Sequence, residues 1–148
     1  KMIKGSNNYR KQKYKVAKVH EKIANSRKDY LHKTSHQIAN EVDGVCVEDL
    51  NMQSMSKSMH FGKSVHDNGY GLFLNMLSYK LERKGKKLIK IDKFYPSSKT
   101  CSSCGYIKKE LKLSDRIYEC PQCGMVIDRD YNASINIKRE GMRLASIH

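Results

Sequence analysis

The chain contains no long hydrophobic run and no segment patterned as a signal peptide. None of its apolar stretches approaches the ~18–20 residues that a helix needs to cross a bilayer. The start of the chain lacks the charged, apolar and cleavage regions of a secretory leader. These absences argue against a membrane-spanning or secreted protein, and they predict that the chain has no membrane partner.

Acidic residues are also scarce. Among 148 residues, 29 Lys and Arg stand against 15 Asp and Glu, which gives a formal net charge of +14. Residues 1–40 alone hold 11 basic and 2 acidic side chains. Such an excess favours a polyanionic partner, with nucleic acid a better candidate than a membrane surface.

The basic segment, roughly Tyr9–Asn40, has the apolar periodicity of a long helix. One interpretation is an amphipathic helix with a solvated charged face, and the other is a stripe that contacts phosphates. The apolar positions on one broad face are Val16, Val19, Ile23, Tyr30, Leu31 and Ile38, and the opposite side carries Lys11, Lys15, Lys18, Lys22 and Lys33.

The rest of the chain alternates strand and helix patterns. A short β-forming run, Val45–Val47, predicts a strand, and residues 72–81 predict a helix that ends near Gly85. Residues 87–94 predict a second strand, residues 52–68 a loop or weak helix, and a last helix begins near Asn132. This order is typical of an α/β layer arrangement, although two strands alone make a thin sheet.

Four of the five cysteines form two Cys-x2-Cys pairs, each followed by glycine. This spacing is a strong signal for one four-thiolate zinc site of the ribbon type, because two such turns can close a tetrahedron around the ion. Four sulfur ligands leave no open position, so the zinc is expected to be structural. Two disulfides or a redox pair fit the pattern less well. The predicted ligands are Cys101, Cys104, Cys120 and Cys123, whereas Cys46 reads as a small buried apolar residue.

Two carboxylates stand out by their context. Glu48 ends the predicted strand, and Asp130 precedes the last helix. Each has an ordinary interpretation, a solvated strand end for Glu48 and a helix N-cap for Asp130. Together, beside a basic surface, they favour Mg²⁺ ligands for phosphodiester cleavage, although a two-ion site usually needs at least three acids.

In combination these motifs resemble those of one family. Residues 45–51, Val-Cys-Val-Glu-Asp-Leu-Asn, look like the second RuvC motif, and residues 128–137, Asp-Arg-Asp-Tyr-Asn-Ala-Ser-Ile-Asn-Ile, look like the third. The four-cysteine ribbon comes just before the latter. This order is similar to the C-terminal half of the OrfB/TnpB proteins of insertion sequences.

The resemblance implies an RNA-guided DNA endonuclease with a partial RNase H-like (RuvC) α/β core and an inserted zinc ribbon. The resemblance implies that residues 1–96 and 128–148 form the RuvC segments and that residues 97–127 form the zinc ribbon. Glu48 and Asp130 are then catalytic carboxylates with Mg²⁺ as cofactor, DNA and guide RNA are partners, and the cell compartment is the prokaryotic cytoplasm, near the nucleoid.

One family motif has no counterpart here, a first strand that carries Asp between glycines. The family's N-terminal nucleic-acid-recognition domain is missing as well, so we expect a C-terminal fragment or a truncated copy that is inactive alone. Two alternatives to a nuclease stay open: a non-catalytic zinc-ribbon module that binds DNA or RNA, and a structural zinc domain that binds proteins. The charge argues against the last.

Overall fold

The computed structural model describes residues 3–50, 69–112 and 114–146. The loop or weak helix expected at residues 52–68 lies outside these ranges. None of the helices in the described ranges carries an apolar stretch long enough to cross a bilayer. In chain order the elements are α1 (Asn7–Glu41), β1 (Gly44–Glu48), α2 (Tyr70–Glu82), β2 (Lys87–Ile91), β3 (Ile117–Glu119), β4 (Val126–Asp128) and α3 (Arg129–Ala145).

A two-stranded parallel sheet lies between helices. Strands β1 and β2 pair in register from Gly44 opposite Lys87 to Glu48 opposite Ile91, and α2 lies in the connection between them. Side chains along a strand point alternately to the two faces of its sheet. Val45 and Leu88 accordingly pack with α1 and α2 in the main core, whereas Cys46 lies against α3 on the other face. By the same alternation Glu48 belongs to the face that carries α3.

Among the described residues, helix α1 packs against other elements only near its C-terminal end. Its 35 residues correspond to a length of about 50 Å at ~1.5 Å per residue. Ser35 and Ala39 are its buried residues, and Lys80 of α2 donates a 2.7 Å hydrogen bond to the Ser35 hydroxyl. The first two-thirds of α1 is exposed on all sides, including the apolar positions Val16, Val19, Ile23 and Tyr30, which are 46–66% exposed.

Two predicted boundaries were wrong, both because of a local aspartate. Strand β2 ends at Ile91 rather than at residue 94, because Asp92 starts a turn in which its carboxylate accepts a 2.6 Å hydrogen bond from the Phe94 N–H. Helix α3 begins at Arg129, three residues earlier than expected. Asp128 is its N-cap, and its Oδ1 accepts from the N–H groups of Asp130 and Tyr131 at 3.0 and 2.9 Å.

Gly141 allows α3 to lie directly on β1. A Cβ atom at this position would come within 2.2 Å of Cys46 Sγ and 2.7 Å of Cys46 Cβ. Because glycine lowers helix propensity by about 1 kcal/mol relative to alanine, its presence inside α3 reflects this close approach rather than a preference for helix.

The substitution Gly141→Ala is therefore expected to destabilise the protein, although helix propensity alone would favour alanine. Overpacking of this kind typically costs about 1–3 kcal/mol. Gly71→Ala in α2 is the matched control, because no described residue lies within 4 Å of its added Cβ and it should be neutral or stabilising. Urea unfolding of both variants measures the difference, and an unchanged or raised midpoint for Gly141→Ala would contradict the packing described here.

Candidate metal centre and carboxylate cleft

The two Cys-x2-Cys turns have the same backbone hydrogen bonds. The N–H of Cys101 donates a hydrogen bond to the carbonyl of Tyr106 at 2.8 Å, and the N–H of Gly105 donates one to the carbonyl of Cys101 at 2.9 Å. In the same way, the N–H of Cys120 donates to the carbonyl of Met125 at 2.9 Å, and the N–H of Gly124 donates to the carbonyl of Cys120 at 3.0 Å. Both glycines have positive φ, +79° and +72°, which few other residues tolerate. The sequence pattern thus folds as two equivalent knuckles.

The four thiols of these knuckles converge on one point. Cys101 Sγ lies 3.7 Å from Cys123 Sγ, Cys104 Sγ lies 3.6 Å from Cys120 Sγ, and all four sulfur atoms lie within 4.8 Å of one another. A tetrahedron of sulfurs around zinc at ~2.3 Å has edges of about 3.8 Å, so the cluster has the size of a zinc-thiolate site. All five cysteines are free thiols rather than disulfides.

The neighbouring thiols shift one another's pKa values. Burial raises the pKa of Cys120, but N–H groups of Cys123 and Gln122 and the neighbouring thiols outweigh it and bring the pKa down to about 6. A backbone N–H lowers the pKa of Cys104, yet burial and the three other thiols raise it to about 12. One thiolate therefore forms readily while a second is opposed, which is the situation that a bound dication relieves.

The core beneath the cluster is small. Strands β3 and β4 form an antiparallel hairpin, and Tyr118 of β3 is fully buried against Cys101 and Cys120. Its hydroxyl donates to the carbonyls of Lys99 and Tyr106 at 3.1 and 3.4 Å. The partly buried apolar side chains that pack against this cluster are Tyr106, Leu111, Met125 and Ile127, so the apolar core of this unit is small.

Two buried asparagines fasten α3 to the first knuckle. Asn132 Oδ1 accepts a 2.9 Å hydrogen bond from the N–H of Ser102, and its Nδ2 donates to the carbonyl of Thr100 at 2.7 Å. Asn136, one turn later, donates to the carbonyls of Ser97 and Thr100 at 2.8 and 2.7 Å. We call these contacts the asparagine clamp, and they link the helix that begins beside Asp130 to the backbone next to Cys101.

Glu48 and Asp130 line the same cleft, of about 390 Å³. Glu48 reaches it from the C-terminal end of β1 and Asp130 from the first turn of α3, which packs on the same face of the sheet. The remaining lining residues are Ser97, Ser98, Lys99, Leu111, Lys112, Arg129, Ala133 and Ile137, so in the described part of this lining only Glu48 and Asp130 are acidic.

The two carboxylates differ in how they are held. Glu48 is half-buried, and its Oε1 accepts a hydrogen bond from the Ser97 hydroxyl. Burial raises the pKa of Tyr70, the first residue of α2, and the negative charge of Glu48 raises it further. The Asp130 side chain is 73% exposed and lies 3.3 Å from the guanidinium of Arg129. The Arg129 side chain is only 16% exposed, but the carboxylate of Asp130 is open to solvent and therefore accessible to a cation.

The neighbouring acids have other roles. Asp128 caps α3, so the capping role that was the alternative for Asp130 belongs to Asp128. Asp49 lies 3.2 Å from Lys90 Nζ and lines a different cleft, together with Tyr70. Neither contributes to the cleft that Glu48 and Asp130 share.

All five predicted lysines of α1 are exposed. Lys33 forms a 2.6 Å ion pair with Asp29, one turn earlier. Lys18 lies over the ring of Tyr14, 5.1 Å from its centroid. No ion pair is recorded for Lys11, Lys15 or Lys22 within the described ranges, so their charges face solvent or a partner.

Sequence reasoning missed Ser97, Asn132 and Asn136. Buried asparagines inside a helix are unusual, since asparagine is a poor helix former, and their spacing of four residues places both on one face. That combination was a usable signal for a polar contact. Ser97 carried no such signal, because its partner Glu48 is 49 residues away.

The residues described thus form a mixed α/β chain with a four-cysteine cluster suited to zinc. Comparison with known families gives two matches, to the OrfB_IS605 model, described as a probable transposase, over residues 1–59, and to the Cas12f1-like TNB domain over residues 70–137. Together they cover most of the chain. Over most of its length the chain is thus similar to OrfB/TnpB proteins.

Individual relatives agree with this assignment. A Streptomyces pristinaespiralis protein, provisionally named an RNA-guided DNA endonuclease, is 39% identical over 94% of this chain and 34% of its own length. TnpB-like protein L79 of Acanthamoeba polyphaga mimivirus is 35% identical over 86% of this chain and 25% of its own length. The chain therefore spans about a third or less of the length of these relatives.

A solved structure shares the fold. The chain superimposes with a TM-score of 0.66 and 25% identity on a cryo-EM structure of a Cas12f1–sgRNA–target DNA complex. The match covers 85% of this chain and 37% of that one.

Proposed function

We propose that the chain is the C-terminal, RuvC-like part of an RNA-guided DNA endonuclease that hydrolyses phosphodiester bonds with Mg²⁺. The observation that carries the proposal is the shared cleft of Glu48 and Asp130. These acids are 82 positions apart in the sequence, and each was singled out by a separate motif. The similarity to proteins named RNA-guided DNA endonucleases supports the same activity.

The cleft suits a hard cation and a phosphate at once. Carboxylate oxygens are the ligands that Mg²⁺ prefers, and Glu48 and Asp130 would hold it. The bound ion would polarise the phosphate and help to activate the attacking water. Lys99, Lys112 and Arg129 line the same cleft and would attract the DNA backbone and hold it against the carboxylates.

The rest of the proposal concerns the architecture. Residues 1–96 and 128–148 would form part of an RNase H-like core, and residues 97–127 the zinc ribbon. The two-stranded sheet is thinner than a stable sheet usually is, which fits a core completed by further strands. A third carboxylate from such a strand would complete the ion site.

A cleavage assay tests this function. The chain, and the chain extended by any in-frame coding sequence upstream, are incubated with guide RNA, a matched DNA target and either Mg²⁺ or EDTA. Cleavage that requires both Mg²⁺ and a matched guide is expected from the extended protein. If an extended protein that binds guide RNA left matched DNA intact in Mg²⁺, the nuclease assignment would fail.

The alternative is a DNA- or RNA-binding module without cleavage, and the exposed lysines of α1 favour it. Each phosphate that a lysine neutralises releases counterions, so binding should weaken steeply with salt. Lys22→Ala is expected to reduce the slope of log affinity against log salt by about 0.9. Lys33→Ala should change it less, because Asp29 already pairs with Lys33.

Lys84→Ala is the control, since Lys84 is exposed but lies beyond the end of α2 rather than on α1. Fluorescence anisotropy with a labelled duplex and a labelled RNA at several salt concentrations gives the slopes. A salt-independent affinity would contradict the binding module with phosphate contacts on α1, and the absence of any binding at low salt would favour the protein-binding zinc domain instead.

A further inference from the structure

Ser97 connects the carboxylate cleft to the first zinc knuckle. Its side chain is turned inward, the residue is only 5% exposed, and its hydroxyl donates a hydrogen bond to Oε1 of Glu48. The motifs that single out Glu48 and Asp130 do not include this serine. The hydroxyl engages one carboxylate oxygen of a glutamate that lines the cleft, and the second oxygen can accept another partner.

The backbone of Ser97 is fixed from both sides. Its N–H donates to the carbonyl of Tyr95 at 2.7 Å, and its carbonyl accepts from Asn136 Nδ2 at 2.8 Å. Thr100 closes the same turn, with its N–H and its hydroxyl donating to the carbonyl of Pro96 at 3.0 and 2.8 Å. The serine therefore has little freedom to follow a moving glutamate.

The same side chain of Asn136 joins this turn to α3 and to the metal centre. Its Nδ2 also donates to the carbonyl of Thr100, the residue before Cys101. Asn136 lies two turns after Asp130 on α3. One buried amide thus holds together the knuckle, the turn that carries Ser97 and the helix that carries Asp130.

We propose that Ser97 is a positioning residue for Glu48, held in place by the asparagine clamp and the zinc knuckle. The hydroxyl restricts the rotamers of a flexible carboxylate and orients it toward the cleft. Partners of this kind typically change metal affinity by about 10–100-fold when they are removed. The proposal rests on the proposed function in one respect, namely that the oriented carboxylate serves to bind a divalent cation.

The test compares Ser97→Ala with Ser98→Ala in the zinc-loaded chain. Ser98 lines the same cleft, and no hydrogen bond of its hydroxyl is recorded within the described ranges, so it is a matched control. Glu48 is assigned by NMR with ¹³C-labelled glutamate and Glu48→Gln. The first readout is the rotamer averaging of the Glu48 side chain, from its three-bond couplings. The second readout is the Mn²⁺ concentration at which the broadening of the Glu48 signal is half complete.

Ser97→Ala is expected to average the Glu48 rotamers and to raise the half-broadening Mn²⁺ concentration about tenfold or more. Ser98→Ala should leave both readouts within twofold of the parent chain. Ser97→Thr keeps the hydroxyl and should restore the ordered glutamate. A Glu48 side chain that remains in one rotamer in Ser97→Ala would overturn the proposal.

The same experiment separates this inference from the proposed function. If Ser97→Ala frees Glu48 but Mn²⁺ fails to broaden the Glu48 signal even in the parent chain, the positioning role is supported and the cation role of Glu48 is contradicted. If Mn²⁺ binds beside Glu48 with equal affinity in all three serine variants, the proposed cation site is supported and the positioning role is refuted.

Discussion

Removal of zinc is expected to unfold residues 97–128 and to release the N-terminal half of α3 from the ribbon. The core of this unit contains one large, fully buried side chain, Tyr118, and units this small rarely fold without a metal or disulfides. Structural zinc contributes about 10–16 kcal/mol of apparent binding free energy in zinc-finger peptides at neutral pH, which a core of this size cannot replace.

The effect should extend beyond the ribbon because of the asparagine clamp. Once the first knuckle unfolds, Asn132 and Asn136 lose carbonyl partners that are buried in the folded protein. Each intramolecular hydrogen bond that is lost to water in this way costs about 0.5–1.5 kcal/mol. The first turns of α3, including Asp130, are therefore expected to loosen, while the core of α1, α2 and β1 stays folded.

Amide hydrogen exchange before and after chelation measures both effects. The N–H groups of Cys101, Gly105, Cys120 and Gly124 should lose protection, and Val42 and Phe73 should retain it. Cys120→Ser should reproduce the loss, whereas Cys46→Ser is a matched control that leaves the four zinc ligands intact. If the knuckle amides stayed protected after chelation, the zinc would be dispensable for folding.

The parts of the structure that could be predicted depend on local patterns. The Cys-x2-Cys-Gly pairs specify their own knuckles, because the ligands, the tight turn and the positive-φ glycine lie within five residues. Strand β1 and helices α1 and α2 follow from apolar periodicity. Glu48 and Asp130 were singled out as strand-end and helix-start acids, but the cleft they share depends on the packing of α3 on the face of β1 that carries Glu48.

The parts that could not be predicted depend on contacts between distant residues. The hydrogen bond from Ser97 to Glu48 and the asparagine clamp join residues thirty or more positions apart, and no sequence period encodes them. The choice of Asp128 rather than Asp130 as N-cap depends on where β4 ends. The apolar side of α1 is exposed in the structure, although its periodicity in the sequence is that of a helix face packed on a core. Periodicity alone does not show whether another element covers such a face.

Asp130→Asn is expected to abolish DNA cleavage by the extended protein while leaving the fold intact. The substitution removes the charge from one of the two acids in the cleft but keeps the size of the side chain. Removal of a direct ligand should cost more than the roughly 10–100-fold loss typical of outer partners. Glu48→Gln should have a similar effect. The double variant should be little worse than either single one, because the two residues would act as a unit.

The neighbouring acids provide matched controls for this prediction. Asp128→Asn preserves a good N-cap, since asparagine caps helices about as well as aspartate, and should retain cleavage. Asp49→Asn alters an acid beside Glu48 that lines a different cleft, and should also retain it. Rates of guide-dependent cleavage in Mg²⁺, together with thermal unfolding of each variant, distinguish lost chemistry from lost structure. Cleavage that survives in Asp130→Asn but disappears in Asp128→Asn would transfer the catalytic role to Asp128.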